Sequence, residues 1–548
     1  MKRLILLLAA ALPAQTNFPN ERGYATLKDG ARLAYVAWRP TAEGRFPVLL
    51  IYNMYDASAI TPDFNQTQTS EIREYLERGY AVAGVNARGT GCSTGVADVL
   101  HAAVIGRDGA EFVEWIAKRS WSNGNVGMFG HSGSGLTQFF VAAEQPPSLK
   151  AVIPGAAPVD FYRDLGYPGG LFNYAFIYHW SVDAQPASET RAARVHMEAG
   201  DTGCDEWRKV RKSGPTTFEG MSSHPLKDQW WIERSPETVA SRIRTPTYIV
   251  FGWQDQNVDS RAIEIFDQLQ GPKRMVLSEE EHSMYIRNME VRREKLRFFD
   301  HWLKGVQNGV MDGPPIRVWY SHMGAVERIP GRTGRYTRVP PANTNWTRLF
   351  LRADGRLSEK VSGDEASRKY LYPLGTAFAY GGTTHPHVPF GLGSLRFLTD
   401  AFTEEKALLG PSMLWLFASS TEADTAFQIV INVINERGDR KYLQRAYLKA
   451  SMREIDKEAS RSRTPVHTFR SPRPIKPGEI TEFVMVTNMT GTIVPAGSRL
   501  ELILMAPNIA PEPIGQWGFL PLPMATNTVQ MWVKHPSSLM LPFQPDKP

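Results

Sequence analysis

A chain of 548 residues that sets 62 Lys and Arg against 56 Asp and Glu carries a formal charge of only +6, with 42% apolar and 22% charged residues. That length is more than one hydrophobic core serves, so two or more domains are expected, and the apolar content excludes a disordered chain. The dispersed charge excludes a nucleic-acid binder, which would gather Lys and Arg into a stripe with aromatics between them. In chain order, Lys2 and Arg3 precede an apolar run over 4–11 and the small Ala14. This is the pattern of a signal peptide, assigned to 1–14, and it implies a secreted or periplasmic bacterial protein. The run is too short to cross a bilayer and no later stretch reaches the ~20 apolar residues of a membrane helix, so no membrane span is expected.

From residue 20 to 155, β-rich apolar runs over 46–53, 80–86, 126–130 and 149–154 alternate with helical patterns over 71–78, 108–118 and 136–144. Such alternation predicts βαβ units and a mainly parallel sheet. The rhythm stops between about 160 and 241, a stretch rich in aromatics, Gly and Pro with a helical pattern over 191–198, which reads as an inserted cap. It resumes with strands over 247–251 and 274–277 and helices over 260–268 and 291–303, closing a catalytic domain spanning 20–310. An insertion there lies over the carboxyl edge of the sheet, where ligands bind in α/β folds. After Pro314, strand-like alternation over 317–320, 348–351, 413–419, 427–433, 481–487 and 499–505 predicts an all-β jelly roll, galactose-binding-like, over 314–545. The stretches 461–465 and 472–477 read as loops.

The strongest local signal runs from Asn125 to Gln138: a strand, then Gly130-His131-Ser132-Gly133-Ser134-Gly135, then a helix. This is the nucleophile elbow of an α/β-hydrolase, whose turn is so sharp that only small residues fit around the serine. Ser134 takes the place usually held by the last glycine, and Gly135 follows it. Chain order on this fold then calls for an acid and a histidine after later strands. Asp255 follows the strand at 247–251 and His282 follows that at 274–277. Asp259 is a weaker candidate acid, placed where a carboxylate caps a helix. His131 is expected to point away from the nucleophile, and His301 to pack in its helix. For the oxyanion hole the Gly133 N–H supplies one donor, and the second is expected from Asn53-Met54-Tyr55-Asp56, just after the first parallel strand, as a backbone amide or the Tyr55 hydroxyl; Tyr55 as a packed aromatic fits the sequence equally. Trp180, Tyr178 and Trp253 are the aromatics expected to line the substrate site. The only two cysteines, Cys92 and Cys204, form a candidate disulfide in an oxidising compartment, and two separately packed thiols fit the sequence equally.

Several stretches together resemble the CocE/NonD serine hydrolases, relatives of Xaa-Pro dipeptidyl peptidases, cocaine esterase and α-amino acid ester hydrolases. They are Tyr55-Asp56, Arg88-Gly-Thr-Gly-Cys-Ser-Thr-Gly95, Trp121 to Gly130, Gly252-Trp253-Gln254-Asp255, His282-Ser283 and Phe298 to Gly305. The second half adds Leu409 to Ser412, Ser419 to Asp424 and Val494 to Leu502. The resemblance implies a Ser132, Asp255, His282 triad, an oxyanion hole from Tyr55 and the Gly133 amide, and a C-terminal jelly roll. Two departures stand out. The family places Tyr after the nucleophile where this chain has Gly133, which implies an acyl pocket that is roomier or differently shaped. The amino-ester hydrolases carry acidic residues after the triad aspartate where this chain has Asn257 and Val258, leaving Glu279, Glu280 and Glu281 as the nearest other carboxylates.

The expected function is hydrolysis of an ester or amide through an acyl-enzyme, with no cofactor and no metal, on a small-molecule ester, amide or short peptide. An Xaa-Pro dipeptidyl peptidase is the alternative within the enzyme class, and a catalytically inactive glycan- or surface-binding protein the alternative outside it. Oligomeric state is not legible.

Overall fold

The computed structural model describes residues 18–62, 71–97, 100–210, 215–255, 257–282, 284–322, 332–374, 392–461, 463–507 and 517–545. The expected signal peptide and Ser283 lie outside them. Among the described residues the first sheet contains β1 (Asn20–Thr26), β2 (Arg32–Trp38), β3 (Phe46–Asn53), β4 (Ala81–Asn86), β5 (Ser122–His131), β6 (Leu149–Gly155), β7 (Thr247–Gly252), β8 (Lys273–Ser278) and β9 (Ile316–His322), the last of which also pairs antiparallel with Arg332–Tyr336. Their order is β1-β2-β4-β3-β5-β6-β7-β8-β9, with the first two joins antiparallel and every later one parallel. β3, β4 and β7 are buried along their whole or nearly whole length, as strands covered on both faces must be. Apolar residues of one face pack under α2 (Ala102–Ala117) and α3 (Gly133–Ala143), and those of the other under α1 (Ile72–Glu77) and the helix Met289–Lys304.

Between β6 and β7 the chain leaves the sheet for a series of short helices. Two of them are π-helical, Tyr162–Gly166 and His179–Ala184, the second continuing into the helix Gln185–Glu198. Cys204, in the helix Gly203–Val210, is joined to Cys92 in the loop after β4, and both are fully buried.

The second half is all β. One sheet pairs Met413–Ser420 with Thr481–Val486, Ala525–Trp532 and Ser538–Phe543. A second runs in the order Ser394–Leu398, Arg499–Met505, Ala426–Ile434, Arg440–Lys449. Leu414 and Leu416 of the first sheet share a core with Ile429, Ile431, Leu502 and Leu504 of the second. Two sequence expectations are corrected here. Ile316–His322, read as the opening strand of the all-β part, pairs parallel with β8, and its end also pairs with Thr492 and Ile493. Alternation identifies a strand but not its partner. Of the expected loop at 461–465, Arg461 ends the strand Ile455–Arg461 and Thr464 begins its antiparallel partner Thr464–His467, while Ser462 lies outside the described residues.

Candidate active site

Ser132 sits between β5 and α3 with φ 58° and ψ −128°, a left-handed-side conformation that a non-glycine residue holds only under constraint. The constraint is visible around it. The Ser132 N–H donates to the Gly155 carbonyl at 2.9 Å. A Cβ on Gly130 would lie 2.5 Å from the Ser134 Cβ, and one on Gly135 would lie 2.5 Å from the Gly155 carbonyl oxygen. Both glycines are therefore required by close approach. Gly133 opens α3, where the first backbone N–H groups have no acceptor within the helix and are free to serve a ligand.

Ser134, the departure from the usual motif, has a use. Its hydroxyl accepts from the Asn53 amide at 2.8 Å, and the Asn53 Oδ1 accepts from the Tyr55 N–H at 2.9 Å. On the far side the Asn86 amide donates to the Tyr55 carbonyl at 2.8 Å. Two buried asparagines thus fix the backbone of the loop after β3 to the elbow and to the end of β4. Sequence analysis missed Asn53, Asn86 and Ser134 in this role, because nothing local marks which amide a buried Asn will meet.

The Tyr55 hydroxyl has two hydrogen-bonding partners, the Ser132 hydroxyl and the Trp180 indole, which donates to it at 2.8 Å. Burial pushes the phenol up to about 12, against the lowering effect of those two bonds, so the hydroxyl keeps its proton across the neutral range. Trp180 belongs to the π-helical turn His179–Ala184; such turns recur where a side chain must be re-aimed at a site. Beside Gly133 the space is taken by the loop after β3: a Cβ there would lie 2.9 Å from the Tyr55 hydroxyl and 3.0 Å from the Met54 sulfur.

Asp255 follows β7 and is buried; its Oδ2 lies 2.6 Å from the His282 Nδ1, while its Oδ1 accepts from the Asn257 and Val258 N–H groups at 2.8 and 3.0 Å. A carboxylate with both oxygens engaged holds one orientation, and the contact fixes the histidine with Nδ1–H toward Asp255. His131, expected to point away from the nucleophile, packs its ring 5.3 Å from that of His282 and nearly parallel to Tyr285. Burial, with His282 and Lys295 adding to it, pushes His131 well below the ordinary histidine value, so it is a neutral wall behind His282. The Tyr285 hydroxyl accepts from the Gly130 N–H and donates to the Ile153 carbonyl, bracing the elbow from below.

The other sequence candidates separate clearly. Asp259 accepts from the Asn488 amide and lies beside Arg261, away from the pairing that Asp255 makes. Glu279 pairs with Lys441 and Glu280 with Asn288, so these two carboxylates have partners already. Tyr178 is 51% exposed and meets Phe218 edge-on, and Trp253 is a core residue packed against Gly491; of the three aromatics, Trp180 is the one brought to Ser132 and Tyr55. Among the described residues Cys92, His196 and Asp201 come close enough to suggest a metal, but the Cys92 sulfur is committed to Cys204. No helix of the described residues is long and apolar enough to cross a membrane.

Known proteins place this arrangement. Residues 29–284 match the X-Pro dipeptidyl-peptidase (S15 family) model, and residues 308–539 the X-Pro dipeptidyl-peptidase C-terminal non-catalytic domain. The cocaine esterase of a Rhodococcus strain is 26% identical, over 94% of this chain and 97% of its own. In fold, the chain is similar to a CocE/NonD family hydrolase from Staphylococcus aureus, with TM-score 0.79, 22% identity and coverage of 96% and 94% of the two chains. It is also similar to an α-amino acid ester hydrolase, with TM-score 0.74, 18% identity and coverage of 99% and 98%. The protein is therefore a hydrolase with an N-terminal α/β-hydrolase-like domain and a C-terminal all-β domain. It belongs to the S15/CocE–NonD family of serine hydrolases, whose members are esterases and X-Pro dipeptidyl peptidases.

Proposed function

We propose that this chain is an esterase that works through an acyl-enzyme on Ser132, and the observation that carries the proposal is the Asp255–His282 pair packed on His131, the residue before a strained Ser132 whose hydroxyl meets Tyr55. The Ser132 Oγ adds to the substrate carbonyl as the His282 Nε2 takes its proton, and Asp255 stabilises the imidazolium. The oxyanion is received by the Tyr55 hydroxyl and the Gly133 N–H. His282 then gives its proton to the departing alkoxide, leaving an acyl ester on Ser132. A water, deprotonated by the same imidazole, releases the acid and restores the serine.

The choice of ester over an amino-terminal peptide rests on charge. A free α-amine needs a carboxylate near the reacting carbonyl, yet Asn257 and Val258 only point their N–H groups at Asp255, and Glu279 and Glu280 are paired elsewhere. The similarity to a cocaine esterase along nearly the whole chain supports the same choice. We read the C-terminal domain as a jelly roll and the protein as exported, a reading supported by its leader-like start and by a disulfide of the kind that oxidising compartments sustain.

Release of p-nitrophenol from acetyl and butyryl esters, beside release of p-nitroaniline from Ala-Pro and Gly-Pro anilides, tests the proposal, with Ser132→Ala as control. Turnover of the esters alone, abolished in Ser132→Ala, is expected. Preference for the anilides would replace the esterase with a dipeptidyl peptidase.

A further inference from the structure

The loop that carries Asp255 is held from outside its own domain. The strand Arg440–Lys449 is the edge of the second β-domain sheet, and its free side faces this loop. Its pairing with Ala426–Ile434 slips by one residue: Ile431 opposes Gln444 and Asn432 opposes Tyr442, so Leu443 is the extra residue of a β-bulge. Bulges take carbonyls out of the ladder and re-aim the neighbouring side chain. Here the Tyr442 and Leu443 carbonyls accept from the Gln254 amide at 3.0 and 3.3 Å. Gln444, almost fully buried, donates from Nε2 to the Trp253 carbonyl at 3.2 Å and to the Met489 carbonyl at 2.7 Å, while its Oε1 accepts from the Arg445 N–H at 3.3 Å. Every hydrogen-bonding group of that side-chain amide is used, which makes it a rigid strut.

The two tied residues, Trp253 and Gln254, immediately precede Asp255. Further along, the buried Asn488 amide of the β domain donates to the Asp259 carboxylate and to the Ser260 carbonyl, at 3.0 and 2.7 Å. The segment from Gly252 to Ser260 is thus clamped at both ends by amides from the β domain, with Asp255 between them. The histidine loop is tied to the same strand, since the Lys441 ammonium lies 2.6 Å from the Glu279 carboxylate, three residues before His282.

We infer that Gln444, set on the bulge of the β-domain edge strand, is a positioning residue for the catalytic acid: it fixes the Trp253–Gln254 backbone so that Asp255 meets His282. This makes the second domain part of the catalytic apparatus, and it rests on the triad proposed above. Gln444→Met keeps the length of the side chain and removes its hydrogen bonds. In a protein that still folds, with its disulfide formed and its elution volume unchanged, kcat on p-nitrophenyl butyrate is expected to fall about 10- to 100-fold with KM within about twofold.

The double-mutant cycle decides whether that loss passes through Asp255. In an Asp255→Asn background, whose residual turnover is measured on the same activated ester, Gln444→Met is expected to change kcat by less than about twofold. An equal loss in both backgrounds, or no loss in the wild-type background, overturns the inference. Should Gln444→Met fail to fold, Gln254→Met cuts the neighbouring tie between the same loop and the same bulge, that of the Gln254 amide to the Tyr442 and Leu443 carbonyls. A loss of about fivefold that vanishes with Asp255→Asn is then expected, and a loss that persists overturns the inference. Failure of the triad itself would show separately, as wild-type turnover equal to that of Ser132→Ala.

Discussion

At Tyr55 a single proton has to be delivered to one place. A phenol has one donor and two acceptor positions, and the Trp180 N–H, at 2.8 Å, and the Ser132 hydroxyl both bond in the sense that lowers the phenol, as donors to its oxygen, which leaves the Tyr55 proton for the oxyanion of the proposed mechanism. Tyr55→Phe is expected to lower kcat about 100-fold, in line with loss of one oxyanion donor. Trp180→Phe keeps the aromatic body and removes only the N–H; steady-state kinetics on p-nitrophenyl butyrate is expected to show kcat about 3- to 10-fold lower with KM nearly unchanged. A rise in KM alone would make Trp180 a wall of the substrate site and nothing more. These residues differ in how far the sequence exposes them. Ser132 is legible because its turn forces Gly130 and Gly135 into a recognisable spacing. Asp255 and His282 are legible because each follows a readable strand. Trp180 is visible only as an aromatic in the inserted segment, equal in the sequence to Tyr178 and Trp253, and the three separate only when the π-helical turn and the packing of Trp253 against Gly491 exist.

Between elements, the cap and the loop after β3 are bound together more tightly than an insertion requires. Arg191, on the helix Gln185–Glu198, pairs with Asp56, the neighbour of Tyr55, and Cys204 on the next helix is bonded to Cys92 across 112 residues of chain. Replacing both cysteines by alanine is expected to cost about 5 kcal/mol of stability, from the freedom regained by the long unfolded loop. Thermal unfolding with and without reductant checks it: reductant is expected to bring the wild type down to the double variant and to leave that variant unmoved. The pairing was not legible, because only the fold brings residues 92 and 204 together. The strands with the most continuous apolar or alternating pattern were legible, while Asn20–Thr26, Arg32–Trp38, Arg440–Lys449, Ala525–Trp532 and Ser538–Phe543 were not read; β9 shows a second limit, as its alternation is identical whether it closes the first sheet or opens the second.

At the scale of the whole molecule the two domains meet over charged and polar groups, and one of these makes stability depend on pH. The His467 imidazole donates from Nε2 to the Val484 carbonyl at 2.8 Å, and burial, assisted by Arg163 and Arg261 of the catalytic half, pushes it down to about 4. A histidine whose folded value lies below its unfolded value near 6.5 is protonated preferentially in the unfolded chain, so it leaves stability intact above pH 6.5 and removes it as pH falls towards 4. Between pH 7 and pH 5 this group is expected to cost the wild type about 2 kcal/mol that His467→Gln, which keeps a donor for the same carbonyl, does not lose. Urea unfolding of both proteins at the two pH values checks the difference. The join of the domains was the least legible feature, because Gln444, Asn488 and Lys441 lie far along the chain from the loops they hold.

The central claim, that Ser132 is the nucleophile, is tested most directly by treating the protein with a fluorophosphonate and mapping the adduct by peptide mass spectrometry. Stoichiometric modification of Ser132, with ester turnover lost in proportion and no labelling of Ser132→Ala, is the expected result. Loss of turnover with the adduct on another residue, or full turnover in a protein fully modified at Ser132, would contradict it.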